Sequence, residues 1–146
     1  SEILGIPVKT DPLEHEGKPD LVKAFQDATA AFDSSGLCIF TTFAWGLQDL
    51  APQMAAACGD EYTVDELAKI GERIWNMERE FNNRAGFTAK DDSLPPRLTT
   101  AAGACKTGPA KGKVNMLAEM MPKYYAARGW DAEGRPTAAT KARLGL

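Results

Sequence analysis

No stretch of this chain approaches the roughly 20 consecutive apolar residues that a membrane-spanning helix needs. Its first residues also lack the basic-then-apolar order of a secretion signal, so a soluble, cytoplasmic protein is expected. There is no basic run and no interleaving of basic with aromatic residues. A net charge of −3, with both signs spread along the chain, leaves no electrostatic footprint for nucleic acid. Histidine occurs once, as His15 between Glu14 and Glu16, and without a partner at helical or hairpin spacing it reads as a solvated side chain. The 3 cysteines, Cys38, Cys58 and Cys105, are an odd number at wide, irregular intervals. They make neither a disulfide framework nor a zinc site with its close Cys-x-x-Cys pair. A metal bound through any of them needs ligands from elsewhere. Cys58 and Cys105 read as structural or incidental. Internal repeats and long low-complexity tracts are missing as well.

What is present, 146 residues of which 44% are hydrophobic, suffices for one ordinary core. Residues 1–17 hold Pro7, Pro12 and Gly17 without a sustained period and read as an irregular lead-in. A helix is predicted from about Pro19, whose fixed φ suits a first turn, with Leu21, Phe25, Ala28 and Phe32 on one apolar face. The apolar run 39–45 has no second strand pattern to pair with, so an extended entry followed by helix is preferred. Leu47, Leu50 and Met54 then recur at helical spacing, with Pro52 expected to kink the helix or start a fresh turn and Gly59 to close it. Thr63 with Glu66 makes a capping box, which opens the clearest helix. Its inward residues are expected to be Leu67, Ile70, Ile74, Met77 and Phe81, its end Gly86, and its charged residues Glu72, Arg73, Glu78, Arg79 and Glu80 a solvated face. Residues 87–113 show no usable period, and a connection this long is usually functional or mobile. A helix over about 115–128, a turn over 131–134 and a short helix capped by Thr137 complete the chain. The fold class expected is all-α: a single helical domain of about five helices with long irregular loops, occupying residues 18–146.

One turn uses its residues oddly. Phe32 to Phe40, Phe-Asp-Ser-Ser-Gly-Leu-Cys-Ile-Phe, puts an acid, two hydroxyls, a glycine and a thiol between helical patterns. A carboxylate accepts from an N–H-rich ring, a glycine lets backbone approach a ligand, and a thiolate binds soft metal. The plainer readings are a small buried side chain for Cys38, and an acid and a glycine that merely end a helix for Asp33 and Gly36.

The residues Asp33-Ser34-Ser35-Gly36-Leu37-Cys38-Ile39 match the D-x-x-G-L-[CD]-x motif of the tungsten-containing aldehyde:ferredoxin oxidoreductase family. Further blocks, 71–82, 84–88, 90–98, 108–112 and 124–131, resemble the C-terminal helical domain of that family in the same order. The resemblance implies contacts to a pterin of a tungsten bis-pterin (molybdopterin-type) cofactor by Asp33, Gly36 and Leu37. It implies also that Cys38 is the fourth ligand of a [4Fe-4S] cluster whose other cysteines lie upstream. The implied partners are the N-terminal portion of the same enzyme, ferredoxin and an aldehyde substrate, in a possible homo-oligomer. The family's three-cysteine run, its other copy of the motif and identifiable acid–base residues are all missing, so the chain is expected to be inactive alone. A stand-alone helical interaction domain that has lost the cofactor, or a relative acting on a non-aldehyde substrate, remains open. Tyr124, Tyr125 and Trp130 read as core and rim aromatics, or as lining for a substrate channel beside the long loop.

Overall fold

The computed structural model describes residues 2–3, 6–7 and 10–146. Among them lie six α-helices, two short 3-10 segments and one minimal hairpin, so the all-α expectation holds. The helices are α1 (Lys18–Ser34), α2 (Leu47–Cys58), α3 (Val64–Arg84), the single turn α4 (Pro96–Thr99), α5 (Leu117–Arg128) and α6 (Ala138–Leu144). The lead-in is less irregular than expected: Glu2–Ile3 (β1) and Ile6–Pro7 (β2) pair antiparallel, with Ile3 opposite Ile6.

Helix α1 has Pro19 in its first turn and follows Gly17 at φ 72°. Ala28, Ala31 and Phe32 bury its apolar face against Leu47, Leu50 and Ala51 of α2 and Leu67 of α3, with Phe25 and Leu37 packed alongside. Helix α3 is opened by the reciprocal Thr63–Glu66 box, in which the Glu66 N–H donates to Thr63 Oγ1 at 3.2 Å and the Thr63 N–H donates to Glu66 Oε2 at 2.8 Å. It crosses α1 antiparallel. Phe32 meets the Leu67 end, Gln26 bonds Trp75, and Pro19 and Val22 share a cavity with Arg79 and Asn82. Gly71 makes this crossing close, since a Cβ there would sit 1.8 Å from the carbonyl oxygen of Asp27.

The inward face of α3 differs from its apolar periodicity. Met77 and Phe81 are 54% and 73% exposed, whereas Glu72 and Asn76 are buried at 8% and 0%. The reason is pairing. Glu72 accepts both Arg143 Nη groups at 2.9 Å and faces Lys23 at 3.3 Å, which lets a carboxylate replace an apolar residue inside. Asn76 accepts the indole N–H of Trp130 at 2.8 Å and donates to the Glu72 carbonyl.

Pro52 does not interrupt α2, and Gly59 at φ 79° closes it as expected. The stretch 39–45 is neither strand nor regular helix but a 3-10 turn over Ile39–Phe43. The long connection contains α4 and the short 3-10 segment Ala101–Gly103. It crosses the surface and is anchored at Asp92. Helix α5 buries Tyr125 and Arg128, while Leu117, Met121 and Tyr124 are half-buried. Gly129 at φ 68° ends it. Thr137 caps α6 through the Thr140 N–H, and Gly145 closes that helix.

Candidate cofactor site

Helix α1 ends on the motif. The Ser35 N–H bonds the carbonyls of Ala31 and Phe32, Ser35 Oγ donates to the Phe32 carbonyl at 2.6 Å, and the Gly36 N–H donates to the Asp33 carbonyl at 3.3 Å. Gly36 then reverses the chain at φ 78°, where an L side chain is strained. No atom lies within 4 Å of where its Cβ would be, so the turn needs glycine for its backbone shape, and its outer surface is open to a ligand.

Asp33, Gly36 and Cys38 are all exposed. Leu37 is half-buried and packs against the core, so its side chain anchors the turn, and only its backbone is left for outside contacts. The exposure of Cys38 removes the plain packing role for that thiol. A carboxylate, an open glycine backbone and a free thiol thus share six residues on one solvent-facing turn. This donor set fits the pterin edge and the iron–sulfur cluster that the motif implies. Among the described residues no group of 3 or more His, Cys, Asp and Glu is placed to hold a metal, so a metal on Cys38 would need further ligands from outside them.

The chain after Cys38 is stiffened. Thr41 Oγ1 donates to the Cys38 carbonyl at 2.8 Å, Thr42 Oγ1 to the Ile39 carbonyl at 2.7 Å, and Thr42 itself is buried. Two of its apolar residues, Phe40 and Phe43, stand outside, with their rings stacked at 5.9 Å and 15°.

Other candidates fall away from this turn. Nδ1 of His15 lies 3.4 Å from Glu14 and its Nε2 3.3 Å from Glu119, which makes it a bridge between carboxylates. Cys58 and Cys105 are exposed. Tyr124 and Trp130 border a cavity of about 420 Å³ with Trp75, Arg79 and Asp92. That cavity sits at the Asn82 end of α3, whereas the turn sits near Leu67; those residues are 15 apart, about 22 Å of helix. The polar atoms of its aromatics are already used: Tyr124 Oη donates to Gln26 Oε1 at 2.7 Å and Trp75 Nε1 to the Gln26 carbonyl at 2.8 Å.

Beside it lies a second polar cluster that the sequence did not reveal. Arg79 holds Asp92 through two bonds of 2.8 and 2.6 Å, donates from Nε to the Gly134 carbonyl at 2.6 Å, and lies 4.8 Å over the Trp130 ring. Tyr125 Oη also donates to Asp92. Burial pushes the Asp92 carboxyl up, but the bonds from Arg79 and Tyr125 outweigh it and leave the group below its ordinary range. Burial and the same carboxylate push the Tyr125 phenol up to about 12. These groups bind one another; they hold the long connection and α5 on α3.

Comparison with known proteins identifies the family. A family profile described as aldehyde ferredoxin oxidoreductase, domains 2 and 3, matches residues 1–146. The chain is 46% identical over 147 aligned positions to the tungsten-containing aldehyde ferredoxin oxidoreductase of Pyrococcus horikoshii, covering 99% of this chain and 24% of that protein. The protein of the same name from Pyrococcus furiosus is 45% identical and that from Thermococcus kodakarensis 44%, with the same coverage. The chain therefore spans about a quarter of the length of these curated relatives. Its fold matches a chain of the active-site complex BamBC of benzoyl coenzyme A reductase, with TM-score 0.71 and 25% identity over 88% of this chain and 19% of that one. The family profile and the relatives lead to one conclusion: this chain belongs to the aldehyde ferredoxin oxidoreductase family.

Proposed function

We propose that this chain is the C-terminal part of a cytoplasmic tungsten-pterin, iron–sulfur oxidoreductase that oxidises aldehydes to carboxylic acids with ferredoxin as electron acceptor. The observation that carries the reading is the exposed Asp33–Cys38 turn, which offers one carboxylate, an open backbone and one thiol, while among the described residues no group of 3 or more His, Cys, Asp and Glu is placed to hold a metal. Asp33 accepts hydrogen bonds from the amino and ring N–H groups of a pterin. Backbone groups at Gly36 and Leu37 face its polar edge, and packing of the Leu37 side chain into the core keeps them in place. Cys38, as thiolate, supplies one of four ligands of a [4Fe-4S] cluster.

When bound, the tungsten-pterin group accepts the two electrons released as an aldehyde and water become a carboxylic acid and two protons. This chain's residues orient the pterin and hold one corner of the cluster. The rest of the enzyme brings the other cluster ligands, the acid–base groups and the docking site for ferredoxin, so the chain does not turn over alone. The likeness to a benzoyl coenzyme A reductase complex supports a second reading of the substrate only: the same scaffold serves a reaction on a different compound.

The test is Cys38→Ser in the complete enzyme. Loss of the paramagnetic signal of the reduced cluster is expected, and an unchanged spectrum rules the ligand role out. Tungsten and iron analysis of the anaerobically purified complete protein separates the enzyme from a cofactor-free interaction domain, which would carry neither metal.

A further inference from the structure

We propose that Thr41 is a positioning residue for Cys38: by fixing the Cys38 carbonyl it sets the direction in which the thiolate is offered to the cluster. The inference rests on the reading of Cys38 as a cluster ligand and adds which residue holds that ligand in place.

Cys38 is an exposed, unpaired thiol, so packing does not orient its side chain. The direction of its Cβ is left to the backbone, which is extended at φ −64° and ψ 129° where the 3-10 turn begins. The Cys38 carbonyl is where that backbone is held. It accepts the Thr41 N–H at 2.9 Å and Thr41 Oγ1 at 2.8 Å, so one residue supplies both donors. Thr41 is in turn tied to the interior, because its own carbonyl accepts the Trp45 N–H at 2.9 Å and the Trp45 side chain packs on the core. On the other side of Cys38, Leu37 is fixed by its packing. The thiol thus stands between two anchored neighbours, and rotation about its ψ would break both bonds to Thr41.

Outer groups that orient a metal ligand tune the site although they do not touch the metal. Two bonds on one carbonyl narrow the range of positions open to the Cys38 Cβ, and with it the range of iron–sulfur torsions once a cluster is bound. The Thr41 hydroxyl also points the positive end of its dipole at the carbonyl oxygen. Without it the surroundings of the ligand become more negative, which disfavours adding an electron to a cluster held there. Thr42 provides the contrast. Its hydroxyl makes a bond of the same kind at 2.7 Å, but to the Ile39 carbonyl, one peptide further from the thiol.

The experiment is a redox titration of the complete, metal-loaded enzyme followed by electron paramagnetic resonance, comparing the parent with Thr41→Val, Thr41→Ser and Thr42→Val. Valine keeps the shape of threonine and the backbone N–H bond, so the turn retains one of its two ties. At the parent's midpoint potential the oxidised cluster of Thr41→Val is expected in about three-fold excess over the reduced one, the low end of what one neutral hydrogen bond is worth. The signal of its reduced form is expected to broaden. Thr41→Ser should restore both properties, and Thr42→Val should leave both at the parent's values. An unchanged midpoint and line width in Thr41→Val overturn the proposal, as does an equal shift in Thr42→Val or no recovery in Thr41→Ser. If the valine variant does not assemble, Thr41→Ala removes the same donor without the branched side chain and is read against the same outcomes. The Cys38→Ser spectrum is taken in parallel. If its signal is lost while Thr41→Val matches the parent, the positioning role fails and the ligand role stands. If its signal is unchanged, the ligand role fails and the positioning role falls with it.

Discussion

Arg128, fully buried on α5, places Nη1 2.5 Å from Oδ1 of Asp27 on α1, across 101 residues of sequence. Its Nη2 donates to Gln26 Oε1 at 2.6 Å and its Nε to Tyr124 Oη at 3.0 Å. Lys23 meets the other Asp27 oxygen at 2.8 Å, and Lys23 also faces Glu72, which binds Arg143. This chain of charges ties α1, α3, α5 and α6 together beneath the helix that carries the motif.

Removing one partner of a buried pair leaves the other uncompensated. Arg128→Met is expected to cost about 3 kcal/mol, at the low end for such a pair because Lys23 remains beside Asp27. The double variant Asp27→Leu/Arg128→Met should recover part of that loss. Denaturant unfolding of the two proteins checks both statements; a larger loss in the double variant would contradict the pairing.

Gly71→Ala is expected to be costly although alanine favours helix. The added methyl meets the Asp27 carbonyl oxygen at 1.8 Å, so α1 and α3 must separate. Overpacking of this kind costs about 1–3 kcal/mol. A melting temperature equal to or above that of the parent would show that the two helices do not approach as described.

The Thr63 cap predicts a smaller effect. Thr63→Ala deprives the Glu66 N–H of its acceptor and should cost about 1 kcal/mol, with the circular-dichroism signature of the folded protein retained.

Acid should weaken the fold through Asp92 and Glu72. For Glu72, burial raises the pKa, but the bonds and charges of Arg143 and Lys23 leave it net lowered; Asp92 is lowered by Arg79 and Tyr125. A carboxyl depressed in the folded state binds a proton more readily when unfolded. Its stabilisation is therefore complete above the ordinary values of about 4 and is lost as pH falls through the lower folded values. The melting temperature should drop below about pH 4, and Asp92→Asn should flatten that drop.

Tyr125 gives the opposite limb. Its phenol is raised to about 12, so the contribution of the neutral form is present below the ordinary value of about 10 and is lost as pH rises towards 12. In an ultraviolet titration Tyr125 should be the last tyrosine to ionise, and Tyr125→Phe should remove that last phase.

Much of the helical frame was legible because its signals are local. Thr63 and Glu66 cap within one turn, and Gly36, Gly59, Gly86, Gly129 and Gly145 adopt positive φ near the ends of the helices they follow. The motif residues Asp33 to Cys38 were legible as an odd cluster in one turn, and the turn is where α1 ends. The α3 stripe held at Leu67 and Ile70, which join the core, and misled at Met77 and Phe81, which are exposed, because apolar periodicity marks a face without naming what covers it.

Sequence alone determined where the longer helices lie, the family, and which turn carries an acid, a glycine and a thiol together, since each depends on neighbours a few residues apart. Tertiary structure alone decided that Arg128 would find Asp27, that Glu72, Arg79 and Asn76 would turn inward, and that Phe40 and Phe43 would stand outside. Burial of a charge depends on a partner that the chain brings from dozens of residues away, and no local pattern encodes that distance.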